Sequence, residues 1–96
     1  MASRFTTRVE IVGGGTPDEY TRLHAEMLQR NFVRTIVSDS GVKYELPQAE
    51  YNFEGDTTRQ NILELSKAAV SSIGKTARIL ISESVARTWD NLKIVQ

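Results

Sequence analysis

Five basic residues, Arg8, Arg34, Lys43, Arg78 and Arg87, fall in or near stretches that read as strands, with Tyr44, Tyr51, Phe53 and Trp89 interleaved among them. Those types suit an unpaired nucleic acid: a guanidinium grips phosphate through two parallel hydrogen bonds, and an aromatic face stacks on a base. Arg8, Arg34, Lys43 and Arg87 are the candidate RNA-binding residues. Metal-free cleavage of RNA needs a group to take or orient the 2′-hydroxyl proton and a cation beside the phosphorane. Arg34 and Asp39, at opposite ends of one short strand, are the candidate catalytic pair. Two plainer accounts compete. Amphipathic strands bury one face, so the aromatics suit a core, and arginines are ordinarily solvated. No segment carries the aromatic signature of an RNA-recognition motif.

Other chemistries find little support. His24 is the single histidine and the chain has no cysteine, so neither a multi-histidine nor a thiolate metal site can be assembled. His24 lies beside an apolar stripe and reads as a packing or boundary residue. Glu10, Asp39, Glu45, Glu50 and Glu83 are the carboxylates that strand or turn position offers to a metal, and no metal or small-molecule cofactor is expected. Gly13-Gly14-Gly15 lacks the spacing and the Lys-Ser/Thr ending of a phosphate loop, and reads as a connector. Nothing resembles a nucleophile elbow.

These groups sit on a chain of 96 residues, enough for one domain with a modest core. Twelve basic and 12 acidic residues give a formal net charge of zero, which argues against a strongly basic duplex-binding module. No apolar run approaches the ~18 residues of a membrane span, and the first residues lack a signal-peptide core. The absence of cysteine fits a reducing compartment, and the expectation is a soluble cytoplasmic α+β domain.

The elements follow from pattern. Phe5 to Val12 alternates as a first strand, with Thr6, Arg8 and Glu10 on its polar side. Thr16-Pro17-Asp18-Glu19 is a capping box with proline at the first helical position, and Tyr20, Leu23, Met27 and Leu28 form the buried stripe behind it. Asn31 ends that helix, and Phe32 folds back. Val33 to Ser38 is the second strand. Asp39-Ser40-Gly41 turns the chain into Val42–Leu46, Pro47 ends the run, and Glu50–Glu54 alternates again. Thr57 and Gln60 offer a second capping box, ahead of a helix that Gly74 stops. Thr76 to Ser84 is the last main strand, and its apolar centre, Ile79-Leu80-Ile81, calls for the sheet interior or an interface. Leu92 and Ile94 suggest a short extra strand at the C-terminus. This order fits a ferredoxin-like βαββαβ sandwich, with two helices on one face of a mostly antiparallel sheet and a short fifth strand.

Arg34-Thr35-Ile36, Asp39-Ser40-Gly41, Tyr44-Glu45-Leu46-Pro47 and Ala49-Glu50-Tyr51 together resemble small bacterial proteins grouped with the GhoS-type antitoxins of type V toxin–antitoxin systems. Thr7-Arg8-Val9-Glu10, Tyr20, Leu23-His24, Met27 and the Ser84–Trp89 segment extend the likeness over most of the chain. The resemblance implies a ferredoxin-like fold related to the small CRISPR-associated nucleases. It also implies an endoribonuclease antitoxin acting on single-stranded mRNA. The CRISPR-associated group carries an acidic metal ligand at the end of its first strand. Here that position reads Val12-Gly13-Gly14, with Glu10 the nearest acid, which points away from metal-dependent cleavage. The competing expectation is a non-catalytic homodimeric interaction module that uses its sheet face or edge strands.

Overall fold

The computed structural model describes residues 2–95. Its organising strand is β1, Ser3–Ile11, in which Phe5, Thr7, Val9 and Ile11 are buried while Arg4 and Arg8 are exposed. That alternation is the two-residue period of a strand read out as burial. β4 (Glu50–Gly55) and β5 (Ala77–Ser84) flank β1, both antiparallel to it, so that Thr6 lies between Asn52 and Ser82.

Two helices cover the buried face. α1, Pro17–Gln29, opens with the expected capping box: Glu19 N–H donates to Thr16 Oγ1 at 3.1 Å, and Thr16 N–H to Glu19 Oε1 at 2.9 Å. It ends where Asn31 takes φ of 71°, which lets Phe32 N–H donate to the Met27 carbonyl and sends the Phe32 ring into the core. α2, Arg59–Ser72, is capped by Thr58 through Asn61 N–H rather than by Thr57 as expected. Thr57 is used differently, its Oγ1 accepting from the Asn61 amide side chain at 2.7 Å. Phe5, Val9, Leu23, Met27, Phe32, Tyr51 and Ile62 meet between helices and sheet, each essentially inaccessible to solvent.

The molecule is α+β, but its strands divide into two small antiparallel sheets instead of one. β2 (Thr35–Val37), β3 (Lys43–Glu45) and β6 (Lys93–Ile94) form the second, in the order β2-β3-β6. Three strands, not two, therefore lie between the helices, and the C-terminal strand pairs with β3 rather than joining the main sheet. Packing explains the split. The chain touches the β4 edge at one bridge, Val33–Asn52, then departs from it. Beyond the bridge, Ile36 and Leu46 are 3% and 7% exposed, and they share a cleft with Thr6, Trp89 and Leu92 on the helix-free side of the main sheet. Both faces of the main sheet thus carry a cover, helices on one and the β2–β3 ribbon with the C-terminal segment on part of the other. Of the two settings its composition suggested, the sheet interior or an interface, β5 does not take the first. It is an edge strand, and Leu80 at its centre is 64% exposed. Among the described residues no helix is long and apolar enough to cross a membrane.

Candidate functional site

On its helix-free face β1 presents Arg4, Thr6, Arg8 and Glu10 in a row, beside Glu54, Asn52 and Glu50 of β4. The C-terminal segment crosses that row. Arg87 reaches back into it, its Nη1 donating to Asn52 Oδ1 at 2.7 Å and approaching Thr6 Oγ1 at 3.5 Å. Asn52 is thereby buried to 4% exposure while its polar side chain stays satisfied. Arg4 Nη2 donates to the Val85 carbonyl at 3.2 Å and holds the start of the same segment.

A groove of about 650 Å³ opens between this segment and the β2–β3 turn. Arg4, Arg87 and Trp89 line it together with Ser38, Asp39 and Ser40 of the turn. The turn owes its shape to Gly41 at φ 86° and to Ser38, whose Oγ accepts from Val42 N–H at 3.1 Å and lies 2.9 Å from Ser40 Oγ. Burial lowers the Arg87 pKa, the charge of Arg4 lowers it further, and Glu54 acts the other way. Among the described residues neither Arg4 nor Arg87 has a carboxylate within ion-pair distance. Two cations on one groove with no carboxylate at ion-pair distance offer a site for an anion.

The other candidate residues fall elsewhere. Arg8 Nη2 lies 3.2 Å from Glu10 Oε2 and its Nη1 3.4 Å from Glu50 Oε2, so its charge is already answered. Arg34 donates from Nη1 to the carbonyls of Pro47 and Glu50, both at 2.6 Å, and its guanidinium sits 5.6 Å from the centre of the Tyr51 ring. These bonds pin the start of β4 to the chain entering β2. Lys43 is exposed on β3, where its carbonyl accepts from Val95 N–H. Asp39 is exposed at the β2–β3 turn, and among the described residues no hydrogen bond or ion pair joins it to Arg34. The groove brings Asp39 together with Arg87 and Arg4 instead.

Arg4 lies outside the strand that the sequence pattern starts at Phe5. In the structure β1 begins at Ser3, and the alternation Arg4, Thr6, Arg8 carries the signal. The aromatics divide. Tyr51 and Phe53 pack in or against the core, with Phe32 5.1 Å from Phe53 between ring centres, whereas Trp89 meets Tyr44 edge-on at 5.4 Å beside the groove.

A second cluster surrounds His24. Its Nδ1 is 2.6 Å from the hydroxyl of Tyr51, and Tyr20 lies on the same side, its hydroxyl accepting from Ile11 N–H at 3.0 Å. Burial, aided by Arg34 and opposed by Glu45, pushes the His24 pKa down to about 4. Burial raises that of Tyr51 well above the ordinary phenol range. The imidazole is therefore neutral near pH 7 and joins α1 to β4. Among the described residues no three His, Asp or Glu side chains gather closely enough to hold a metal ion. Comparison with known protein families, with curated proteins and with solved structures found no match to this chain.

Proposed function

We propose that this protein binds single-stranded RNA in the groove between the β2–β3 turn and the C-terminal segment. Arg4 and Arg87 take the phosphates, and Trp89 offers a face to an adjacent base. The observation that carries this reading is the convergence of two arginines without a carboxylate partner on one open groove. The fold is read as a modified ferredoxin-like sandwich. β5, β1, β4 and then the Val33 bridge follow the order in which that plan lays its four strands, with β3 and β6 as additions.

The resemblance to GhoS-type antitoxins extends the proposal from binding to cleavage of mRNA. Asp39 takes the proton of the 2′-hydroxyl, the 2′-oxygen attacks phosphorus, and the 5′-oxygen leaves with a proton from water. Arg4 and Arg87 stabilise the phosphorane charge. In this scheme Arg87 replaces Arg34, whose guanidinium is committed to main-chain carbonyls.

Fluorescence anisotropy with labelled single-stranded RNA tests the binding, with and without EDTA. Wild type binds in both, and Arg4→Ala weakens affinity by about tenfold, the ~1.4 kcal/mol scale of one charged contact, with circular dichroism unchanged. Cleavage persists in EDTA and disappears in Asp39→Asn. Absence of RNA binding, or equal affinity in Arg4→Ala, removes the groove as the site.

A further inference from the structure

We propose that β5 is a self-pairing edge through which two copies of this chain join into one continuous antiparallel sheet, with Leu80 on the two-fold axis. β1 occupies one side of β5, and among the described residues no strand occupies the other. The free side presents main-chain donors and acceptors along the eight residues Ala77–Ser84. Edges of that length are ordinarily blunted by proline, lysine, a bulge or brevity. β5 contains neither proline nor lysine, and its pairing with β1 runs without a break from Arg4↔Ser84 to Ile11↔Ala77. Its two charges, Arg78 and Glu83, stand near its ends.

The centre of the edge is apolar on both faces. Ile79 and Ile81 are half-buried against the helix-covered core, while Leu80 points the other way and is 64% exposed. A two-fold axis normal to the sheet keeps each face on its own side. Each residue must then oppose one that points the same way, which restricts the register to steps of two.

Centring on Leu80 sets that side chain against its own mate and Ile79 against Ile81 of the partner subunit. Arg78 then faces the partner's Ser82, and Glu83 faces the partner's Ala77. Apolar rows stay continuous and no like charges oppose. Centring on Ile81 would place Ile79 against the partner's Glu83, and centring on Ile79 would place Leu80 against the partner's Arg78. One register satisfies both faces, and this self-complementarity names a second copy, rather than a foreign strand, as the occupant. A one-strand seam falls below the ~1,200 Å² of standard interfaces, so the dimer forms with rising concentration rather than obligatorily.

The test needs no RNA and is independent of the groove. Sedimentation equilibrium of the wild type gives a monomer–dimer transition, and Leu80→Lys raises its dissociation constant at least about tenfold with unchanged circular dichroism and melting temperature. Because the chain has no cysteine, Leu80→Cys introduces a single thiol. Directly opposed Cβ atoms lie about 4.5–5.5 Å apart, close to disulfide reach. Mild oxidation therefore links Leu80→Cys at least about tenfold faster than Leu28→Cys, a control position on α1 that is 61% exposed. A wild type that stays monomeric at every concentration overturns the proposal. So does a dimer indifferent to Leu80→Lys, or equal rates of linkage for the two cysteines.

Discussion

His24 shows how one residue's setting converts into a pH dependence of the whole fold. Its ring nitrogen lies 2.6 Å from the Tyr51 hydroxyl in a half-buried site beside Arg34. Burial disfavours a cation there, and the Arg34 guanidinium disfavours it further. The folded pKa is thus about 4, against 6.5 for a free imidazole. As pH falls through 6.5 the unfolded chain takes up a proton that the folded chain refuses, so stability declines. The decline continues until about pH 4, where the folded state also protonates, and this contribution is then flat. The urea midpoint of wild type should therefore fall between those pH values more steeply than that of His24→Gln. An imidazole NMR titration with a midpoint near 6.5 in the native state would contradict the buried, neutral assignment.

At the scale of elements, a helix start reveals how finely sequence can be read. Thr16-Pro17-Asp18-Glu19 was unambiguous because cap, proline and reciprocal glutamate coincide, and all three occupy their expected places. The second helix offered two adjacent threonines, and Gln60 favoured Thr57 by spacing. In the structure Thr58 caps, and Gln60 turns instead to Glu64, its Nε2 3.3 Å from Oε2. Thr58→Ala should cost about 1 kcal/mol, the usual value of a lost N-cap, and Thr57→Ala distinctly less because it loses only an exposed side-chain contact. Chemical denaturation of the two variants ranks them, and the reverse order would restore the Thr57 cap. Helix boundaries were legible because their signals are local. The division into two sheets was not, because it turns on where Ile36 and Leu46 find apolar partners, and Trp89 and Leu92 lie more than forty residues further along. The edge position of β5 was hidden for a similar reason: an apolar run looks the same in a sheet interior and at an unpaired edge.

Across the whole molecule, charge decides how the RNA of the proposed function would be held. Arg8, Arg34, Lys43 and Arg87 were all legible as basic residues on or near strands, yet their surroundings separate them. Arg8 is neutralised by two glutamates, Arg34 is spent on main-chain carbonyls, and Lys43 stands apart on β3. Only Arg87 of that set lines the groove, where Arg4 joins it. With 12 basic and 12 acidic residues the chain has no net charge to draw in a polyanion, so the proposed binding rests on those two guanidiniums at short range. Each phosphate contact on a single strand contributes about −0.7 to the slope of log affinity against log salt concentration, so two give about −1.4. Arg4→Ala should reduce the slope to about −0.7 while lowering affinity at every salt concentration. A wild-type slope several times steeper would mean that more cations engage than the groove supplies. In that case the strand would have to track across the sheet face and displace the Arg8 ion pairs, and Arg8→Ala would then become the variant that flattens the slope.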